Sequence, residues 1–354
     1  MEEKKDTLGM LDLVIRPGFC VKENQIIKVN QAAESLFITP GTDVRSLLLT
    51  GSEEYAAFTG GCLYLTLSLS SHSCGASVTR VDDIDVFLLE QESDNSELRS
   101  MALAARELRE PLTNVMITAD SLFPLCAAES SPRTAEQVAR LNRGLFQILR
   151  IIGNMSDAER CAAVSHQETV DIPALFAEFF EKAETLVSHT GIILTYEGPD
   201  QPIYGLADRE QLERAVLNIL SNAIKFTPKG GTVTAKLTRS GRMLRLSVTD
   251  SGSGIAQSVR SSVFSRYLRQ PALEDSRYGI GLGMVLIRTA AAHHGGAVLI
   301  DQPEGVGTRI TMTMSIRQSK QATLRSNVLR VDYAGERDHG LIELSECLPT
   351  ELYE

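Results

Sequence analysis

Two asparagines four residues apart, Asn218 and Asn222, are followed by Lys225 in the stretch "NILSNAIKF". A spacing of four puts both amides on one face of a helix, where taken alone such a pair reads as ordinary surface. Further along, "DSGSG" at 250–254 reads by itself as a turn. "GIGLG" at 279–283 lets backbone come close to a phosphate, as many glycine-rich loops do. "GVGT" at 305–308 has the composition of a hairpin turn. Well upstream, "RELREPLTNV" packs Arg106, Glu107, Arg109 and Glu110 around Pro111 in what otherwise reads as a helix. Singly these marks are weak, and their worth depends on the elements that position them.

The chain has 354 residues, enough for two or three domains, and 43% hydrophobic with 23% charged residues is ordinary for a globular protein. Its 35 basic and 45 acidic residues give a net charge of −10, which argues against a nucleic-acid track. No apolar run approaches the roughly 18 to 20 residues that span a bilayer. The start "MEEKKDTLGM" lacks the apolar centre of a signal peptide. The six cysteines are scattered without metal-ligand spacing, so reduced thiols, no zinc site and a cytoplasmic location are expected.

Three blocks and a tail follow from the patterning. Residues 8–92 carry strand-like "DLVIRP", "NQIIKVN", "CLYLTLSLS" and "DIDVFLLE" with a short helix at "NQAAESLFI", a small α+β unit. Over 93–165 the period changes. Met101, Ala105, Leu108, Leu112, Val115, Ala119 and Leu122 form a heptad seam. After a break at "ESSPRT", with Ser131 as N-cap and Pro132 opening the helix, Val138, Leu141, Leu145, Ile148, Ile152 and Met155 form a second. One hairpin has too little core, so a second copy completing a four-helix bundle is predicted; the alternative is that the seams pack on the chain's own domains. Residues 170–317 read as one mixed sheet covered on one face by helices, with Asp171 capping the first helix and "RSGR" joining a β-hairpin.

In that last block the marks come in a fixed order: "NILSNAIKFTPKGG", "DSGSGI", "FSRYLR", "GIGLGM", "GVGT". Together they strongly resemble the N, G1, F, G2 and G3 boxes of the ATP-binding domain of sensor histidine kinases, an α/β sandwich shared with gyrase and the Hsp90 chaperones. The resemblance implies Mg-ATP as cofactor. It implies that Asn222 holds Mg²⁺ against the phosphates, with Asn218 beside it, and that Lys225 adds positive charge there. Asp250 then accepts a hydrogen bond from the adenine amino group, Gly252 and Gly254 keep backbone clear of the base, and Thr308 helps fix this region through water. Residues 265–283 become a lid, Gly279, Gly281 and Gly283 offering N–H groups to phosphate, with Phe264 and Tyr267 as anchors. Hydrolytic relatives carry glutamate where Asn218 stands; an amide takes no proton from water, so the pocket resembles one for phosphoryl transfer. His293 and His294 read as charged groups favourable at a helix C-terminus.

The two heptad helices in turn resemble the family's dimerisation and phosphotransfer hairpin. Its signature is a histidine followed by Glu-Leu-Arg, a small polar residue, Pro and Leu. Glu107, Leu108, Arg109, Pro111 and Leu112 match, but Arg106 stands at the histidine. Neutral imidazole is a nucleophile; guanidinium stays protonated and has no lone pair to offer. Glu107 is then expected to pair with an arginine. Glu110 replaces the small polar residue, and its charge would repel an aspartyl phosphate. Both hairpin reactions therefore look disabled at the expected position, leaving a pseudokinase or a kinase acting in trans; the alternative is a non-catalytic module that sequesters a partner.

The first block weakly resembles a PAS sensor domain, with Asn30 ahead of its helix. The implied partners are a second copy or a heterodimeric kinase through the hairpin, and a response regulator. The tail, 318–354, is apolar enough to dock on the ATP-binding block.

Overall fold

The strand-like run "CLYLTLSLS" does make an antiparallel strand, over Cys62–Ser68, but that strand does not stay within its own block. The computed structural model describes residue 9 and residues 11–70, 72–128, 132–163, 166–255, 263–264, 282–303, 307–318 and 337–353. Ser131, Tyr267, Gly279, Gly281 and the lid segment 265–281 lie outside them.

The N-terminal block begins with β1 (Gly18–Lys22) and β2 (Gln25–Val29), joined by a two-residue turn in which Glu23 and Asn24 both take positive φ. Asn30 caps the short α1 (Gln31–Glu34) through Ala33 N. Its Oδ1 also accepts from Gly18 N, and its amide donates to the carbonyls of Val14 and Arg16, so every hydrogen-bonding group of Asn30 serves the fold. After α2 (Ser52–Ala56) come β3 (Cys62–Ser68), β4 (Ser73–Val81) and β5 (Ile84–Leu89). Phe19 and Phe87 stack at 4.7 Å in its core.

Two long helices follow, α3 (Glu92–Ala128) and α4 (Pro132–Ala163), packed along each other. Then come β6 (Glu168–Asp171), α5 (Ile172–Ser188), β7 (Ile193–Glu197), β8 (Tyr204–Ala207), α6 (Arg209–Phe226), β9 (Thr232–Ser240), β10 (Met243–Asp250), α7 (Leu282–His293), β11 (Val298–Asp301) and β12 (Arg309–Ser315). Asp171 stands at the N-cap of α5 but makes no side-chain cap bond; its Oδ1 accepts from Ile203 N at 3.1 Å, because Asp171 ends β6 and its carboxylate is spent on the approach to β8.

The strands form one sheet in the order β2-β1-β5-β4-β3-β11-β12-β10-β9-β7, with β6-β8 apart. Sequence patterning suggested two separate sheets; instead β3 pairs antiparallel with β11 through Cys62, Leu63 and Tyr64. Gly61 permits the approach: at φ +92 its Cβ would come 2.3 Å from the Ile300 carbonyl oxygen. Arg288 of α7 reinforces the junction, pairing with Glu90 at 2.5 Å, lying 4.9 Å from the Tyr64 ring and donating to Phe264 O.

At the far end of α7, His294 is buried, accepts from Asp208 N through Nε2 at 3.0 Å and lies 2.7 Å from Ala290 O through Nδ1. One nitrogen accepts and the other donates, which defines a neutral imidazole. Burial also pushes the His294 pKa down, as it does for His293. The charged C-terminal role expected for these histidines is therefore corrected: His294 is a neutral tie between the end of α7 and the start of α6.

Candidate functional site

Asp250 closes β10, and the register of β10 with β12 brings it to Thr308. The Asp250 Oδ1 accepts from Gly252 N at 2.8 Å and Thr308 N at 3.2 Å, so Thr308 reaches the carboxylate directly. Asp250 N donates to Thr308 O at 2.9 Å. Burial raises the Asp250 pKa against the two N–H groups that lower it. Gly307 is required here: at φ +114 its Cβ would come 1.9 Å from the Asp250 carbonyl oxygen. Gly252 is equally confined, since a Cβ would come 2.4 Å from Phe226 O at the end of α6; Gly254 has φ +74. The Oδ2 of Asp250 has no hydrogen-bond partner among the described residues.

The other side of the site is a stripe on α6. Asp208 caps this helix through Gln211 N, and Leu212, Val216, Leu220 and Ile224 bury its apolar face. Arg214, Asn218, Ser221 and Lys225 step by four, three and four residues and so share the opposite face. Asn218 is 1% exposed; its Nδ2 donates to Arg214 O at 2.9 Å, while its Oδ1 is buried without a partner among the described residues. Gly283, at the start of α7, lies against that oxygen, 2.7 Å from where its Cβ would be. Asn222 is half-buried, and its side chain makes no hydrogen bond to a described residue. Lys225 Nζ lies 2.8 Å from Glu346 Oε2.

The donor set suits a magnesium nucleotide. An orphaned amide oxygen on Asn218, a second amide on Asn222 and the Lys225 ammonium match a metal-bound polyphosphate, and Asp250 keeps an acceptor oxygen for an amino group. Phe264 is buried against Tyr64 at 5.6 Å between ring centroids. Of the expected site residues, Asp250, Gly252, Gly254 and Thr308 are brought together, as are Asn218, Lys225 and Gly283. A cleft of about 300 Å³ bounded by Phe179, Arg209, Glu213 and His339 lies apart from both sets.

Arg106 and Glu107 are exposed on α3, and neither forms an ion pair with a described residue. The expected pairing of Glu107 with an arginine is absent there, because successive helical residues point about 100° apart and do not face each other. Arg109 instead donates to Ser156 on α4 at 3.3 Å.

Sequence reasoning missed the largest polar feature of the site. Arg150, Asn154 and Asp157 of α4 are buried against the α6 stripe. Arg214 pairs with Asp157, donates to Asn154 Oδ1 at 2.6 Å and meets Glu343 at 3.0 Å. Arg150 reaches Glu343 at 3.3 Å, Glu346 at 3.1 Å and Ser221 Oγ at 3.1 Å. Polar residues stepping by four and three along α4 were the available signal; nothing local marks Glu343 and Glu346, which lie in and just after α8 (His339–Glu343).

Residues 207–318 match the family described as histidine kinase-, DNA gyrase B- and HSP90-like ATPase. An uncharacterized sensor-like histidine kinase of Rhizobium meliloti is 29% identical over 276 residues, 73% of this chain; the chain spans about half, 52%, of that relative's length. The mycobacterial sensor histidine kinase MprB is 30% identical over 44% of this chain and all of that one, with a TM-score of 0.37. Full-length ShkA, solved in complex with AMPPNP, shares the fold at a TM-score of 0.51 and 23% identity over 64% of this chain and 47% of its own. Residues 207–318 therefore carry an ATPase domain of the histidine kinase, gyrase B and HSP90 type. Among the described residues, no helix is long and apolar enough to cross a membrane.

Proposed function

We propose that this is a sensor histidine kinase-like signalling protein that binds Mg-ATP and does not phosphorylate itself at the family's usual position. The blocks take the roles their sequence suggests: 8–92 a PAS-like sensor, 93–165 a dimerising hairpin, 170–317 the ATP-binding unit, 318–354 a docked tail. The observation carrying the reading is that Asn218, Lys225 and Gly283 are gathered along α6 and Asp250, Gly252 and Thr308 at the end of β10, with Gly252 against the end of α6, while Arg106 stands where the acceptor belongs.

Asn218, Asn222 and Lys225 would hold the metal and phosphates, and Asp250 the adenine amino group. Bound Mg-ATP supplies a transferable γ-phosphoryl group. The amide of Asn218 leaves no general base at that position to activate water, which favours transfer over hydrolysis. The Arg106 guanidinium offers no lone pair, and Glu110 sets a negative charge where a regulator's aspartyl phosphate would approach. A histidine on a heterodimeric partner is then the natural acceptor, and a response regulator a natural partner.

Dimerisation is supported by how the seam divides. Ala105, Leu112 and Ala119 are buried, whereas Leu108, Val115 and Leu122 are 51%, 53% and 51% exposed, as is Leu141 of α4 at 63%. Seven-residue spacing within each set gives α3 one covered and one open apolar face, as a four-helix bundle requires. Light scattering at twice the chain mass, reduced to one by Val115→Lys, is expected; a wild-type monomer at micromolar concentration would count against the bundle.

The direct test of the chemistry uses Mg-ATP labelled at the γ-phosphate. Wild type should stay blank while Arg106→His acquires acid-labile, base-stable label. Label on the wild type would mean another acceptor exists. The second reading, a non-catalytic module sequestering a partner, is favoured by one observation, the engagement of Lys225 by the chain's own Glu346; it predicts no nucleotide binding.

A further inference from the structure

The C-terminal segment lies along the stripe of α6 that carries the proposed phosphate ligands. Glu346 Oε2 is 2.8 Å from Lys225 Nζ and 3.1 Å from Arg150 Nη1. Glu343, fully enclosed at 0% exposure, places one oxygen 3.0 Å from Arg214 Nη2 and the other 3.4 Å from Asn218 Nδ2. Cys347 follows, its Sγ 3.4 Å from Ser221 O. Two carboxylates thus sit on the lysine and the asparagine read above as phosphate ligands.

The local charge explains why anions settle there. Arg150, Arg214 and Lys225 contribute three positive charges and Asp157 one negative, so without the tail the junction holds two uncompensated positive charges in a largely buried place. Such charges demand an anion. Carboxylate and phosphate oxygens accept the same charge-assisted hydrogen bonds from lysine and arginine. They cannot occupy the same donors at once.

We infer that the C-terminal segment is a built-in competitor of the nucleotide: Glu343 and Glu346 stand in for phosphate groups, and Mg-ATP binds by lifting them from Asn218, Lys225 and the adjoining arginines. The inference rests on the Mg-ATP reading and deepens it by naming what regulates the site. It also assigns Arg150 and Arg214, from the hairpin helix and from α6, as further cations available to the phosphates once the tail has moved. The tail need not leave the molecule. Tyr353 packs edge-on against Phe146 at 5.2 Å and its carbonyl accepts from Asn142, so the far end has its own anchor on α4. By linkage, whatever seats the tail weakens nucleotide binding, and nucleotide unseats the tail to the same degree.

Two measurements on the full chain test this. Calorimetric titration with Mg-ATP compares wild type with Glu346→Gln, which removes one competing charge at a partly exposed position; about tenfold tighter binding is expected. Independently, wild-type Cys347 is labelled with N-ethylmaleimide and followed by mass spectrometry of the C-terminal peptide. Labelling should accelerate with Mg-ATP and stay unchanged with adenosine, which has no phosphates. Equal affinities together with labelling indifferent to saturating Mg-ATP would overturn the competitor and leave the nucleotide site standing. No Mg-ATP binding by either form would overturn the nucleotide reading and the competitor with it.

Discussion

Asp250 and Thr308 meet through backbone hydrogen bonds set by the register of β10 and β12, whereas Lys225 and Asn218 are met by carboxylates arriving from the C-terminus. The Asp250 side of the candidate site is therefore part of the sheet, with Gly252 and Gly307 wedged against carbonyls that no side chain could approach. The Lys225 side is a junction of three segments distant in sequence, α4, α6 and α8, held by buried ion pairs. Sheet register can change only by unfolding; paired charges can exchange partners. On the proposed reading, recognition belongs to the first side and control to the second.

The strongest way to break the contrast is Arg214→Met. It leaves Asp157 and Glu343 buried beside an apolar side chain, and removing one partner of a buried ion pair typically costs about 3–5 kcal/mol. A fall of that size in chemical denaturation is expected; less than about 1 kcal/mol would mean the junction contributes little to the fold. Next in size, Asp250→Asn should weaken Mg-ADP binding about 10- to 100-fold, the worth of a hydrogen bond to a charged group. Because burial disfavours the Asp250 charge in the folded state, the same change should leave the melting temperature unchanged or raise it. Binding preserved in this variant would remove Asp250 from the site.

The smallest effect sharpens the comparison by testing what holds α6 in place for both sides. His294 is neutral in the fold with its pKa held below the usual 6.5, so the unfolded chain takes up the proton first as pH falls. Stability should be level in pH above about 6.5 and decline below it, by at most about 1.4 kcal/mol per pH unit for this group. Urea unfolding at pH 7.5 and 5.5 would measure it, and His294→Gln should reduce the dependence; an equally steep profile in the variant would place the titration elsewhere.

The Asp250 side was legible in the sequence because its residues lie within short glycine-marked runs whose spacing the sheet preserves. The α6 stripe was legible as well, since Asn218, Asn222 and Lys225 sit on one helix with a clear apolar face. What lay beneath the sequence is long-range pairing. Glu343 and Glu346 sit more than a hundred residues from the side chains they contact, and their own surroundings, "LIELSECL", read as an ordinary apolar turn of helix. The heptad seam on α3 showed the apolar positions without showing that alternate ones face different neighbours. The joining of β3 to β11 had no local mark beyond Gly61, whose need for space appears only once Ile300 is beside it.

That joining has a consequence for dissecting the protein. β3 and β11 each supply the other with a hydrogen-bonding neighbour, so neither presents an unpaired row of N–H and C=O groups to solvent along that side. A fragment spanning 166–318 alone would bare β11, and one ending near residue 92 would bare β3. Each would carry an adhesive flank the whole chain keeps covered, and sedimentation of either piece should show self-association there. The N-terminal block therefore supplies a guard strand for the sheet of the C-terminal block.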